Sequence, residues 1–168
     1  MPKRSVIQKI IEALQAELET YTRVARASHA EATAEENRAE NKYDTRGLEA
    51  SYLATGQANK VMELEESIGA FENLKDKKFI DGAIDVGALV ELDQNGTVEF
   101  YFIGPAAGGT VVVHGGAEVL VISPESPLGN QLMGLTSNEK SELELAGRKQ
   151  IIQILSVTYA TSEEVLFS

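Results

Sequence analysis

The chain has 168 residues, a hydrophobic fraction of 43% and a net charge of -11, which is enough apolar material for a packed core. It is too acidic for autonomous nucleic-acid binding, because phosphate contacts need clustered Lys and Arg. With no cysteine, disulfides and thiolate metal sites are excluded, and the only imidazoles are His29 and His114. The charge is uneven: residues 1–80 carry 12 basic and 14 acidic side chains and residues 81–168 carry 3 and 12, which predicts two modules.

The N-terminal Met1-Pro-Lys-Arg-Ser5 leads into an amphipathic pattern with no apolar leader, and no apolar run is long enough to span a bilayer. A cytoplasmic protein is expected. From Arg4 to Lys78 there is no proline, and apolar residues recur at three- and four-residue spacing, the pattern of two helical arms. The first arm places Ile7, Ile10, Ile11, Leu14, Leu18, Tyr21 and Val24 on one stripe, with Ser5 or a neighbour as its cap. Past Val24 the seam shrinks to Ala25, Ser28 and Ala32, so the arms can approach closely while burying little area. The return seam is Leu48, Tyr52, Leu53, Val61, Leu64, Ile68, Phe71 and Leu74, interrupted by Gly47 and Gly56. Arms of this length reach on the order of 45 Å at 1.5 Å per residue.

Between the arms, residues 31–44 form a polar tip with little to bury and with Glu31, Glu35, Glu36, Glu40 and Asp44 close together. So many carboxylates repel one another and call for a cation, a basic partner or simple solubility. The turn is hard to place, because Ser28, Thr33 and Asn37 each stand three residues before a Glu, the capping-box spacing. A second helix capped by Thr33 or Asn37 is expected. Arg23, Arg26, Arg38, Lys42 and Arg46 lie near this tip.

From Phe79 the texture changes to glycine-punctuated, β-branched segments. Residues 88–93, then Asn95-Gly96, then Thr97 to Ile103 read as a hairpin with a strong turn signal. Further strands are expected at 110–113, 118–122, 141–145 and 150–159, with a short helix in 126–134 that has Pro127 in its first turn and Gly134 past its end. The expected architecture is α+β: an antiparallel helical hairpin over residues 1–78 and a small, bent antiparallel β domain with one short helix over residues 79–168. Glycine pairs 108-109 and 115-116 lack a following phosphate-loop Lys and read as turns. Ser123, Ser126 and Pro127 have no His or Asp in triad relation, so a structural turn is expected there.

The order helical hairpin then β domain, the segment Ser123-Pro-Glu-Ser-Pro127-Leu-Gly129-x-x-Leu132-Met-Gly134 and the closing Ile154-Leu-Ser-Val-Thr-Tyr159 strand together resemble the Gre family of bacterial transcription elongation factors, whose second domain is FKBP-like. The likeness runs over nearly the whole chain. It implies a non-enzymatic, monomeric protein that docks on bacterial RNA polymerase through Ser126, Pro127, Leu128, Gly129, Leu132 and Gly134. The hairpin would then enter the polymerase's secondary channel and meet nascent RNA, or the DNA-containing elongation complex, only indirectly.

At the tip, Glu40-Asn41-Lys42-Tyr43 is similar to the family's Glu-Asn followed by Tyr, but Asn37 stands where cleavage-stimulating members have Asp. If Glu36-Asn37 is taken as the pair, the Asp position falls on Thr33. The resemblance implies that Glu40, with Glu36, Glu35, Asn41, Tyr43 and Asp44 around it, assists a Mg²⁺ held by the polymerase, one or two carboxylates being sufficient for that ion. The chain would have no cofactor of its own. Other readings stay open: a channel-binding regulator or inhibitor without cleavage activity, an acidic loop that is only solvated, an unrelated coiled-coil scaffold, and a prolyl isomerase, for which Phe100, Tyr101 and Phe102 would have to line the pocket.

Overall fold

The structure is a computed structural model that describes residues 5–38, 46–74 and 82–159, with side chains described over 5–27, 55–74 and 82–159. The chain divides into two compact units. One comprises residues 13–68; the other combines residues 1–12 with residues 69–168.

Within the first unit lie most of two helices, α1 (Val6–Arg38) and α2 (Arg46–Leu74). They run antiparallel, and the geometry leaves no alternative. Glu17 and Lys60 meet at 4.0 Å, and the Lys60 ammonium also sits 5.9 Å from the centre of the Tyr21 ring. At 1.5 Å per residue, Arg38 lies about 31 Å beyond Glu17 and Arg46 about 21 Å before Lys60. In a parallel pair those two ends would stand about 52 Å apart, and the seven residues between the helices reach roughly 28 Å. Leu14, Leu64 and Ile68 are buried in this unit, whereas Val24, assigned to the same stripe by its spacing, is 40% exposed. Ser67, the one buried polar residue of the described set, returns its hydroxyl to the Glu63 carbonyl at 3.0 Å.

One expectation is corrected here. Thr33 and Asn37 do not cap the second helix; both lie inside α1, which runs on to Arg38. The physical reason is the lack of a stop signal: Ala30, Ala32, Ala34, Glu35 and Glu36 are strong helix formers, and neither Gly nor Pro occurs between Ser5 and Gly47. At the other end Ser5 does cap α1, its Oγ accepting from the Gln8 N–H at 3.1 Å.

The second unit is built on a sheet of six strands: β1 (Ala88–Gln94), β2 (Thr97–Ile103), β3 (Val111–His114), β4 (Ala117–Ile122), β5 (Lys140–Leu145) and β6 (Arg148–Tyr159). A short helix, α3 (Pro127–Leu132), separates β4 from β5. The order across the sheet is β3-β4-β2-β1-β6-β5. Asn95 and Gly96, both at positive φ, make the tight turn between β1 and β2. The expectation of a wholly antiparallel sheet is corrected: β4 pairs parallel with β2, Phe100 to Ile103 lying opposite Val119 to Ile122. Burial explains the insertion. Val119, Val121 and Ile122 are buried, and their alternation presents apolar side chains on both faces of β4, so β4 belongs inside the sheet. In β3 only Val112 is buried, which suits an edge.

The two faces carry different layers. Register places Ala88, Val90, Leu92 and Ile103 on one face, joined by Ile152 and Ile154 of β6, and Leu132 of α3 completes this core with Ile84. The opposite face carries Phe102, Val119, Val121 and Val112, all buried. Phe71, in the last turn of α2, covers it with its ring 6.0 Å from that of Phe102. Gly104 makes this approach possible, since a Cβ there would stand 3.0 Å from the Phe71 ring and 2.6 Å from Val121. Lys9, in the part of α1 that belongs to this unit, donates to His114 Nδ1 at 3.1 Å.

Candidate functional site

Residues that the sequence assigns to the tip divide between two situations. Glu35 and Glu36 stand in the last turns of α1, which ends at Arg38. Glu40, Asn41, Tyr43 and Asp44 lie outside the described residues. At 1.5 Å per residue, Glu35 and Glu36 stand about 28 Å along α1 past Glu17, the partner of Lys60. Lower on α1, exposed Arg23 and Arg26 line a shallow groove of about 500 Å³ with Gln15, Leu18, Glu19 and Thr22. Among the described residues no group of three or more His, Asp or Glu is arranged to hold a metal ion, and no helix is long and apolar enough to cross a membrane.

The six residues assigned to docking are brought together around α3. Ser126 is its N-cap, with Oγ accepting from the Gly129 N–H at 3.1 Å and donating to the Ser123 carbonyl at 2.7 Å. In turn the Ser126 N–H donates to Ser123 Oγ at 3.1 Å, so two serines lock each other into the corner that follows β4. Pro127 then supplies a fixed φ at a position where no N–H is needed. Gly129 is imposed by packing: a Cβ there would sit 2.0 Å from the Ser123 carbonyl oxygen. Leu132 is fully buried, and Gly134, at φ +87, reverses the chain so that its N–H reaches the Ile84 carbonyl at 2.8 Å. Of the six, Pro127 and Gly134 are exposed, Ser126 and Leu128 are half-buried, and Gly129 and Leu132 are internal.

A second feature of this unit was touched by the sequence reading only at Phe100 and Tyr101, as pocket-lining aromatics. Val98, Glu99, Tyr101, Val111, Glu118 and Leu120 line a groove of about 410 Å³ at the β3 side of the sheet. Tyr101 donates its hydroxyl to Glu99, and burial first, then that hydrogen bond and the carboxylate charge, push its pKa well above the usual tyrosine range. A signal was available in the sequence: Val111-Val-Val113 alternates on a four-residue strand with no charge, and an edge strand usually carries one.

No family model matches the sequence, and no curated protein matches it. Among solved structures the chain is similar to GreA factor homolog 1 (Gfh1) of Thermus thermophilus, at 19% identity over 88% of this chain and 94% of that one, with a TM-score of 0.35. It is also similar to Gfh1 of Thermus aquaticus, at 21% identity over 87% and 92% of the two chains, TM-score 0.37. A third similar structure is the prokaryotic transcription elongation factor GreA/GreB from Nitrosomonas europaea, at 18% identity over 61% of this chain and 92% of that one, TM-score 0.34.

Proposed function

We propose that this protein is a Gre-like elongation factor that binds bacterial RNA polymerase in the cytoplasm, as a monomer, and reaches through the secondary channel with its helical pair. The observation that carries the reading is the antiparallel pairing of α1, 33 residues long with Glu35 and Glu36 in its last turns, and α2, 29 residues long and beginning at Arg46. The segment around Ser126, Pro127 and Leu128 serves as the dock, with exposed Pro127 as its most accessible apolar residue.

In this reading the chain is not an enzyme by itself and has no cofactor of its own. The Glu40 carboxylate adds one ligand to a Mg²⁺ that the polymerase holds, and Glu36 and Glu35 raise the local negative potential beside it. That ion, when bound, activates water for in-line attack on the RNA phosphodiester of a backtracked complex. Asn41 and Tyr43 belong to the same tip, where Tyr43 stacks on an RNA base. A second reading, a channel-binding regulator without cleavage activity, is favoured by Asn37, a neutral amide where cleavage-stimulating Gre factors carry Asp.

The test adds the purified chain to a halted, backtracked polymerase complex with end-labelled RNA and Mg²⁺, and follows RNA length with time. Shortened RNA that can be re-extended, lost in Glu40→Ala while polymerase binding persists, establishes the cleavage reading. Unshortened RNA with slowed extension establishes the regulator reading. Absence of any binding to polymerase refutes both.

A further inference from the structure

The two edges of the sheet are treated differently. On the β5 edge, the Gln131 side-chain amide pairs with the backbone as another strand would: its Nε2 donates to the Glu144 carbonyl at 2.9 Å, and its Oε1 accepts from the Glu144 N–H at 2.8 Å. A further bond from Nε2 to the Pro127 carbonyl at 3.0 Å holds the amide in place. Lys140, Glu142 and Glu144 add charge along the same strand. Charged side chains and covering groups are the usual means of preventing an edge from recruiting another strand.

Along Val111 to Val113 the β3 edge has neither device among the described residues; only at its end does a charged group reach it, Lys9 donating to His114. β3 is the terminal strand of the sheet, and no described strand pairs with its outer side. Val111 and Val113 are 51% and 60% exposed. Register puts both on one face with Leu120 and Glu118 of β4, the row Val111–Leu120 continuing to Tyr101 of β2. That face is the groove described above, apolar along Val111, Leu120 and Tyr101 and acidic at Glu118 and Glu99.

We infer that the β3 edge and its adjoining groove form a strand-addition site for an extended, basic segment of a partner protein. The segment pairs its backbone with β3 and presents, on the groove face, an apolar side chain beside Val111 and a Lys or Arg towards Glu118. Main-chain pairing supplies affinity in this mode and alternate side chains supply selectivity. A second copy of the same chain is the poorer occupant. Its net charge of -11 repels another copy, and a four-residue edge buries far less than the roughly 1,200 Å² that a specific interface needs. The site shares no residue with the acidic 31–44 segment or with α3, and it does not depend on the polymerase reading.

The probe is a capped synthetic peptide with valine and lysine alternating on one strand face and threonine on the other, titrated into the full-length chain and read by amide chemical shifts. The control peptide carries glutamate in place of lysine. Expected are shifts concentrated in residues 110–114, binding at least about tenfold weaker for the control peptide, and loss of binding in Val113→Lys with the remaining spectrum unchanged. Glu118→Lys, which leaves the edge open, reverses the preference between the two peptides. Equal binding of both peptides, binding that survives Val113→Lys, or shifts centred on β5 would overturn the inference. So would a concentration-dependent dimer abolished by Val113→Lys, which would assign the edge to a second copy.

Discussion

Replacing Gly129 by alanine separates the architectural part of the α3 corner from any docking part. The added Cβ would lie 2.0 Å from the Ser123 carbonyl oxygen and 2.8 Å from Ser126 Oγ, and the first of these is backbone that no rotamer change can withdraw. Relief requires the Ser123–Ser126 turn to swing away. That strains or breaks the bonds from Gly129 N–H to Ser126 Oγ (3.1 Å), from Ser126 Oγ to the Ser123 carbonyl (2.7 Å) and from Ser126 N–H to the same carbonyl (3.2 Å). Losing two of the three costs about 1–3 kcal/mol, and the overpacking itself costs about 1–3 kcal/mol. The better helix propensity of alanine offsets about 1 kcal/mol, leaving a net loss of about 3 kcal/mol. Urea unfolding followed by amide resonances of Leu132 and Ile154 reads this unit directly. Gly134→Ala is the comparison: it meets open space and strains only a left-handed φ, for about 1–2 kcal/mol. Equal midpoints for the two variants would refute the packing argument.

Two further perturbations probe the layers. Phe71→Ala removes the ring that covers Phe102 and Gly104 and should cost about 3–5 kcal/mol in the same unfolding assay; a loss below about 1 kcal/mol would mean that face is closed by other groups. Tyr101 is held neutral in the folded state, so its contribution is fully present below the unfolded tyrosine pKa of about 10 and is lost as pH rises above it. Stability measured against alkaline pH should therefore fall less steeply in Tyr101→Phe than in the parent; identical profiles would show that Tyr101 does not contribute. Tyr159, raised in the same direction chiefly by burial, leaves a residual slope in both proteins.

Element by element, the second unit was legible because its signals are local. Asn95-Gly96 can satisfy two positive φ values at little cost, so the β1–β2 hairpin follows from that dipeptide and the alternation around it. Pro127 and Gly134 bracket α3 for reasons internal to a helix's ends. The extent of α1 was not legible, since capping-box spacing at Thr33 and Asn37 competes with a run of helix formers and spacing alone does not rank them. Nor was the docking segment's division of labour: six residues with one apparent role prove to include a cap, a packing-imposed glycine and a core leucine.

What the sequence by itself determined are the quantities that neighbouring residues decide: the two-module division of charge, the helical character of the two arms but not their ends, the positions of six strands, and the acidic character of residues 31–44. What only the tertiary structure decided are the relations between distant residues. The placing of β4 beside β2 in parallel depends on which strand must hide two faces at once, and the closing of the β5 edge depends on Gln131 and Glu144 meeting across thirteen residues. That β3 ends the sheet among the described strands follows from the placing of β4, because a strand becomes an edge only through the pairing of all the others.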